Sequence, residues 1–175
     1  MSVDFRYPIG KYIPQPFNQN VLQQWIMDIK YLPQHIENAI ANLDEAQLLT
    51  PYRDGGWTVH QVVHHLADSH MNSFIRFKLA LTENNPTIKP YDEVAWANMP
   101  DVTLVPINMS ITLLHALHNR FTVLLQHLAE SDFNKTIIHP DGNREMSVWF
   151  LLGLYAWHSR HHTAHITALK QRMNW

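Results

Sequence analysis

The chain contains no cysteine and few charged residues for its length. Without cysteine, disulfides, thiolate nucleophiles and cysteine-based zinc sites are excluded. Only 16% of the 175 residues are charged, and a net charge of −2 does not indicate the basic face that nucleic acids or anionic membranes require. No apolar run is long enough to span a bilayer, and Met1 to Lys11 lacks a signal-type stretch. We therefore expect a cytoplasmic protein without nucleic-acid or membrane partners.

The composition that remains is that of an ordinary globular domain. Hydrophobic residues make up 46% of the chain, and 175 residues can bury a core without staples. We find no repeat or linker, so residues 1–175 are expected to form one domain. Its first twenty residues contain Pro8, Pro14 and Pro16 and show no helical period, which predicts an extended N-terminal arm over residues 1–20.

Apolar residues at helical spacing predict four long helices. Pro33, inside the first of them, predicts a kink or a break. Thr58 and Gln61 have the spacing of a capping box that starts the second helix, and Ser147 can cap the fourth. The predicted long helices are Val21–Leu43, a second that ends before Pro86, Asn108–Ala129, and one that reaches Met173; Asp92–Met99 is predicted as a helical turn and Lys135–Met146 as a hairpin or an irregular loop. This pattern predicts an all-α four-helix bundle.

The most informative excess is that of histidine, with 13 residues. His158, His161, His162 and His165 share one side of the fourth helix, where two pairs have the i, i+4 spacing that lets both imidazoles reach one ion. The pair His158 and His162 lies most squarely on the inward, apolar stripe of this helix. Because a buried imidazole needs a partner, a shared metal ion would satisfy both.

Three ligands are more usual than two in an open zinc site, and the second helix offers His60, His64, His65 and His70. Periodicity does not decide among these four. His70 lies near the middle of the apolar stripe. Short polar neighbours on the flank of that stripe favour His65 slightly over His64, which the pattern places facing outward.

Several longer motifs resemble the YfiT group of the DinB-like superfamily. They are Tyr52–Thr58 (YRDGGWT), Gln61–His70 (QVVHHLADSH), Gly153–Ile166 (GLYAWHSRHHTAHI), Tyr7–Gly10 and Arg76–Glu83. This resemblance extends over nearly the whole chain. It implies a bundle whose helices run up, down, down and up, usually assembled as a homodimer. It also implies one divalent metal ion per chain, held by His65, His158 and His162.

Members of the group are described as metal-dependent hydrolases. Three neutral histidines leave the full charge on the ion, which can lower the pKa of bound water to about 7. We expect a hydrolase of an unknown small substrate, with zinc as the first choice of metal and nickel as the alternative. The same ligands would serve a thiol S-transferase, like the bacillithiol transferase relatives, or a non-catalytic metal-binding module. No catalytic residue is assigned; weaker candidates are Asp68, Glu145, Tyr155, Arg160 and His165.

Overall fold

The computed structural model describes residues 4–175, so the first three residues of the predicted arm lie outside it. The chain folds into helices and one small hairpin. In chain order the elements are α1 (Gln19–Ile40), α2 (Glu45–Leu48), α3 (Val59–Thr82), α4 (Glu93–Trp96), α5 (Pro100–Leu104), α6 (Ile107–Gln126), β1 (Thr136–His139), β2 (Arg144–Ser147) and α7 (Val148–Met173), with short 3-10 turns at Glu130–Asn134 and Asp141–Asn143.

The long helices α1, α3, α6 and α7 form the predicted four-helix bundle. Helix α1 packs mainly against α6 and α7, and α3 packs against the same two helices. The two long helices that come first in the chain therefore lie on opposite sides of the bundle. Within residues 4–175, none of the helices combines the length and apolarity needed to cross a membrane.

Pro33 does not break α1, which continues through it from Gln19 to Ile40. Proline has no N–H, so it leaves the carbonyl of Ile29, four residues earlier, without its partner in the helix. His118 of α6 supplies the missing donor, because its Nδ1 lies within hydrogen-bond distance of that carbonyl. A contact from a neighbouring helix thus replaces the bond that proline removes, and of the predicted kink or break, the break does not occur.

Capping residues in the sequence mark the starts of α3 and α7. The Thr58 hydroxyl accepts the Gln61 N–H at 3.1 Å, while the Gln61 side chain reaches back to Thr58, so the predicted capping box forms. Ser147 caps α7 by accepting the Phe150 N–H at 3.1 Å. Between α6 and α7, strand β1 pairs antiparallel with β2, so the hairpin forms rather than the irregular loop.

Residues 4–18, the described part of the N-terminal segment, follow the outside of α7 without forming a helix or strand of their own. The indole N–H of Trp157 donates to the Gly10 carbonyl at 3.1 Å, and that of Trp149 donates to the Gln15 carbonyl at 2.6 Å. Nearer the start, Tyr7 packs beside His161 with ring centroids 5.9 Å apart. The N-terminal segment therefore covers a face of α7 that would otherwise be open to solvent.

The apolar core is divided into two clusters along the bundle. One cluster contains Trp25, Phe77, Phe121 and Leu151, and the other contains Ile36, Val63, Leu114 and Ile166 among others. Between these clusters lie His70 of α3, His118 of α6, and His158 and His162 of α7, while His65 lies between Val63 and Leu66 of the second cluster. A layer of imidazoles thus crosses the bundle between two apolar halves.

Candidate metal centre

Three imidazoles from two helices converge at the edge of this layer. His65 of α3 and His158 and His162 of α7 each offer a nitrogen, and the three atoms lie within 4.8 Å of one another. The Nε2 atoms of His65 and His158 are 3.3 Å apart. Tetrahedral zinc with bonds of about 2.0–2.1 Å holds neighbouring ligand nitrogens roughly 3.3–3.4 Å apart. The spacing of these two nitrogens therefore fits a shared ion.

The hydrogen bonds of His162 leave its Nε2 available as a ligand atom. His165 Nε2 lies 3.2 Å from the carbonyl oxygen of Arg6, and because a carbonyl only accepts, this nitrogen carries the proton. His165 Nδ1 is then an acceptor, and it lies 3.3 Å from Nδ1 of His162. His162 must donate through Nδ1, so its Nε2 keeps a lone pair for an ion.

A second histidine group, formed by His161, His162 and His165, also brings three ring nitrogens within reach of one ion. All three come from a single helix, and both ring nitrogens of His165 are engaged, Nε2 with the Arg6 carbonyl and Nδ1 with His162. In the group that spans α3 and α7, the one close contact joins the two candidate ligand atoms of His65 and His158, and Nε2 of His162 has no hydrogen-bond partner among the described residues. We therefore place the candidate metal centre at His65, His158 and His162.

Burial does not separate the two histidine pairs of α7 as the helical pattern predicted. His161, His162 and His165 are all buried, whereas His158 is only partly so. The reason is the N-terminal segment, which covers the His161 side with Tyr7 and bonds His165 through Arg6. A surface covered by a remote, irregular segment is not visible in the periodicity of one helix.

The prediction that His64 faces outward was wrong. This side chain is 5% exposed, and both ring nitrogens have partners, since Nε2 lies 3.1 Å from the Val105 carbonyl and Nδ1 lies 2.8 Å from the Ser110 hydroxyl. The connection from α5 to α6 covers this side of α3, which the sequence pattern treats as solvent. With both nitrogens engaged in hydrogen bonds, His64 has a structural role.

A pocket of about 300 Å³ lies over the three converging nitrogens. Aromatic rings form part of its wall, with Trp57 4.5 Å from His65 and Trp157 4.4 Å from His161 between centroids. Glu93 of α4 and Arg53 also line it. The sequence did not indicate Glu93 as a site residue, although the helical turn on which it lies was predicted. No periodic pattern shows that this turn lies close to α7.

The histidines of the centre are neutral near pH 7. Burial lowers the pKa of His65 to about 4, and it holds the pKa values of His158 and His162 well below the ordinary 6.5. The neighbouring imidazoles act in the same direction, because each disfavours a second positive charge close by. A neutral imidazole presents the lone pair that ligation requires, so the electrostatics of the site favour a bound cation over bound protons.

The metal-free protein should lose stability as the pH falls from 7 towards 5. The unfolded chain takes up protons on its histidines near 6.5, whereas in the folded state His65, His118, His161 and His165 do so only near 4. Each such histidine lowers the free energy of unfolding by up to about 1.4 kcal/mol per pH unit below 6.5. Three carboxyl groups with raised pKa values, those of Asp28, Asp68 and Glu93, oppose this change but are fewer. Urea unfolding at pH 7, 6 and 5 measures it, and equal stabilities at all three pH values would contradict it.

The weaker catalytic candidates lie in separate places. Tyr155 is buried and its hydroxyl accepts from Arg76 at 3.1 Å, while its ring packs 5.9 Å from that of His158. Arg160 forms an ion pair with Asp28 of α1. Glu145 lies in the hairpin, where it accepts from the Thr136 hydroxyl at 2.9 Å. Burial raises the pKa of Asp68 to about 6. His165, the fifth candidate, is the one that forms a hydrogen bond with a proposed metal ligand, His162, among the described residues.

Comparison with known proteins finds extensive similarity. The DinB superfamily model matches residues 29–166. Proteins from Bacillus cereus (strain AH820) and Bacillus anthracis, each named "Putative metal-dependent hydrolase", are 54% identical to the chain over 173 residues, covering 98% of it and 99% of each relative. The solved structure of YfiT from Bacillus subtilis, described as a probable metal-dependent hydrolase with an unusual four-helix bundle topology, superposes with a TM-score of 0.95 at 48% identity and 98% coverage of both chains.

Proposed function

Because the chain belongs to the DinB superfamily, we propose that it is a metal-dependent hydrolase acting on a small molecule. The observation that carries this proposal is the convergence of His65, His158 and His162 beneath an open pocket. Within the described residues the group contains no fourth protein ligand, which is the pattern of a catalytic rather than a structural site. We take zinc as the ion and nickel as the alternative.

The chain's own residues would hold the ion through three neutral nitrogens, with the His162 tautomer set by His165. When bound, a divalent cation with three neutral ligands supplies Lewis acidity towards water and towards a carbonyl or phosphoryl oxygen. The ligands stand on two long helices of the bundle rather than on loops. Their positions are therefore fixed before substrate arrives, which lowers the reorganisation that the reaction requires.

The pocket favours a catalytic role over a merely metal-binding one. Its volume of about 300 Å³ is at the lower end of the range for small-molecule sites. Trp57 and Trp157 would shield a bound substrate from bulk water, and Tyr7 of the N-terminal segment closes one side. A non-catalytic module would need no such space beside its ion.

We assign proton transfer in this reaction to Glu93. Glu93 lines the pocket, and although the residue is exposed overall, desolvation by its neighbours raises its pKa above the ordinary value. A raised pKa suits a group that takes a proton from water and returns it to a leaving group. Substitution Glu93→Gln keeps the shape and removes the proton acceptor, so it should lower turnover by about 100-fold or more without changing metal content.

Thiol transfer is the second candidate, and Arg53 is the observation that favours it. This cationic side chain lines the pocket, where its guanidinium donates to the Asp54 carbonyl at 2.8 Å and forms no ion pair with a carboxylate among the described residues. A small thiol that carries a carboxylate could pair with this guanidinium while its sulfur reaches the ion.

A single experiment separates the two reactions. Protein stripped of metal is reloaded with zinc or nickel and assayed against esters, amides and phosphate esters, and in parallel against an electrophile with small thiols. We expect hydrolysis by the loaded protein, at a rate well above that of metal-free protein and of His158→Ala under the same conditions. Turnover that occurs only when a thiol is present would overturn the hydrolase proposal in favour of transfer, and equal rates with and without metal would contradict both.

A further inference from the structure

Behind His158, away from the pocket, two further histidines continue the imidazole layer into the core. His70 of α3 and His118 of α6 are 0% and 1% exposed, among the most buried polar side chains in the described part of the chain. Nδ1 of His158 lies 3.3 Å from Nε2 of His70, and the rings of His70 and His118 lie side by side, with centroids 4.8 Å apart. Polar rings at this depth are costly unless their nitrogens are paired.

The protonation of the inner end of this series is fixed by the backbone. His118 Nδ1 contacts the Ile29 carbonyl, which lacks an N–H partner because Pro33 follows four residues later. A carbonyl only accepts, so Nδ1 of His118 carries the proton and Nε2 is left with a lone pair. That Nε2 is buried and has no partner among the described residues.

The outer end is fixed by ligation, and this step depends on the proposed metal centre. If Nε2 of His158 binds the ion, its Nδ1 must carry the proton and donate to Nε2 of His70. His70 then carries its own proton on Nδ1, which is also buried without a partner. The two unpaired atoms of the adjacent rings are therefore one donor, on His70, and one acceptor, on His118.

We propose that His70 and His118 are positioning residues for the metal centre: His70 accepts from His158, and His118, held on the Ile29 carbonyl, packs against the His70 ring. A hydrogen bond from His158 to His70 would fix the tautomer and orientation of His158, whereas His118 positions the His70 ring by packing beside it and is itself held by the carbonyl that Pro33 leaves free. Hydrogen-bonded partners of a ligating histidine raise its donor strength and hold its ring in place. His70 and His118 would orient His158 in the same way as His165 orients His162.

The test compares two substitutions of His70 with matched controls. His70→Leu removes the acceptor for His158, whereas His70→Gln keeps an acceptor at the position of Nε2 and a donor beyond it. His118→Asn keeps a donor for the Ile29 carbonyl but removes Nε2. The control is Thr122→Val, an isosteric loss of a buried hydroxyl one turn from His118 that likewise has no partner.

Zinc affinity by competition with a chelator, the visible spectrum of the cobalt-substituted protein and the thermal midpoint of the metal-free protein are measured for each variant. We expect His70→Leu to weaken zinc binding by about 10-fold or more and to alter the cobalt spectrum. His118→Asn should weaken zinc binding by less, while His70→Gln and Thr122→Val should stay close to the parent protein. In ¹⁵N spectra of the zinc-bound protein, His158 should carry its proton on Nδ1.

A merely structural role would give the opposite pattern, in which His70→Leu lowers the metal-free thermal midpoint and leaves zinc affinity unchanged. That result, or a His158 protonated elsewhere, would overturn the inference. Failure of the metal centre itself is recognised separately, because His158→Ala would then leave zinc affinity unchanged as well. If His158→Ala lost zinc binding and His70→Leu did not, the positioning role of His70 and His118 would be refuted while the metal centre would stand.

Discussion

Replacing His158 by alanine should weaken zinc binding by more than about 100-fold, which is the upper end of the effect expected for a residue that only supports a ligand. His158 supplies one of the two Nε2 atoms that lie 3.3 Å apart across α3 and α7. With it removed, the ion would keep two protein nitrogens, which rarely hold zinc tightly. Isothermal titration of metal-free protein, with a competing chelator for the parent chain, measures the change.

His161→Ala is the matched control for that substitution. It removes an imidazole from the same helix and the same pocket, and it belongs to the alternative group of three histidines. We expect it to keep stoichiometric zinc binding. If His161→Ala abolished binding while His158→Ala retained it, the ion would belong to the group confined to α7, and the assignment made here would be wrong.

Substituting Gly153 by alanine should destabilise the fold by about 2 kcal/mol, the middle of the range for overpacking a core. Gly153 lies in α7 against α1, where an added Cβ would come 2.5 Å from Cη2 and 2.8 Å from Cζ3 of Trp25, and would also clash with the Tyr12 hydroxyl. Trp25 is 3% exposed and packed on Trp149, so it has little room to move. The gain in helix propensity from glycine to alanine, about 1 kcal/mol, offsets only part of the strain.

Chemical denaturation of Gly153→Ala measures the loss, and a double-mutant cycle identifies its cause. Trp25→Leu removes the ring atoms that the new methyl group would meet. If the clash is responsible, the two substitutions together should cost less than the sum of their separate effects. Additive losses would place the strain elsewhere, and no loss in Gly153→Ala would show that this contact adjusts freely.

The four long helices and their caps follow from local sequence signals, because each depends on a period or on a residue within one turn. The capping residues Thr58 and Ser147 and the hairpin at Thr136 were predictable for this reason. That Pro33 leaves the helix unbroken could not be predicted, since its effect depends on His118, 85 positions further along the chain. The same limit applies to His64, whose partners Val105 and Ser110 lie on another part of the chain.

At the candidate site, helical geometry indicated His158 and His162, whereas His65 came from the resemblance to the YfiT group. Periodicity could not choose among the histidines of α3, because two of those not chosen are also buried, each for its own reason. His64 is held by Ser110 and Val105, and His70 stands behind His158. Glu93 could not be inferred at all, since it reaches the pocket only through the path of the long connection after α3.

The measurement that tests the central claim most directly is anomalous diffraction from crystals of the zinc-loaded protein, collected on both sides of the zinc edge. We predict one anomalous peak per chain between Nε2 atoms of His65, His158 and His162, at about 2.0–2.1 Å from each, with a further position on the pocket side free of protein ligands. A peak among His161, His162 and His165, or an ion closed by a fourth side chain, would contradict the account.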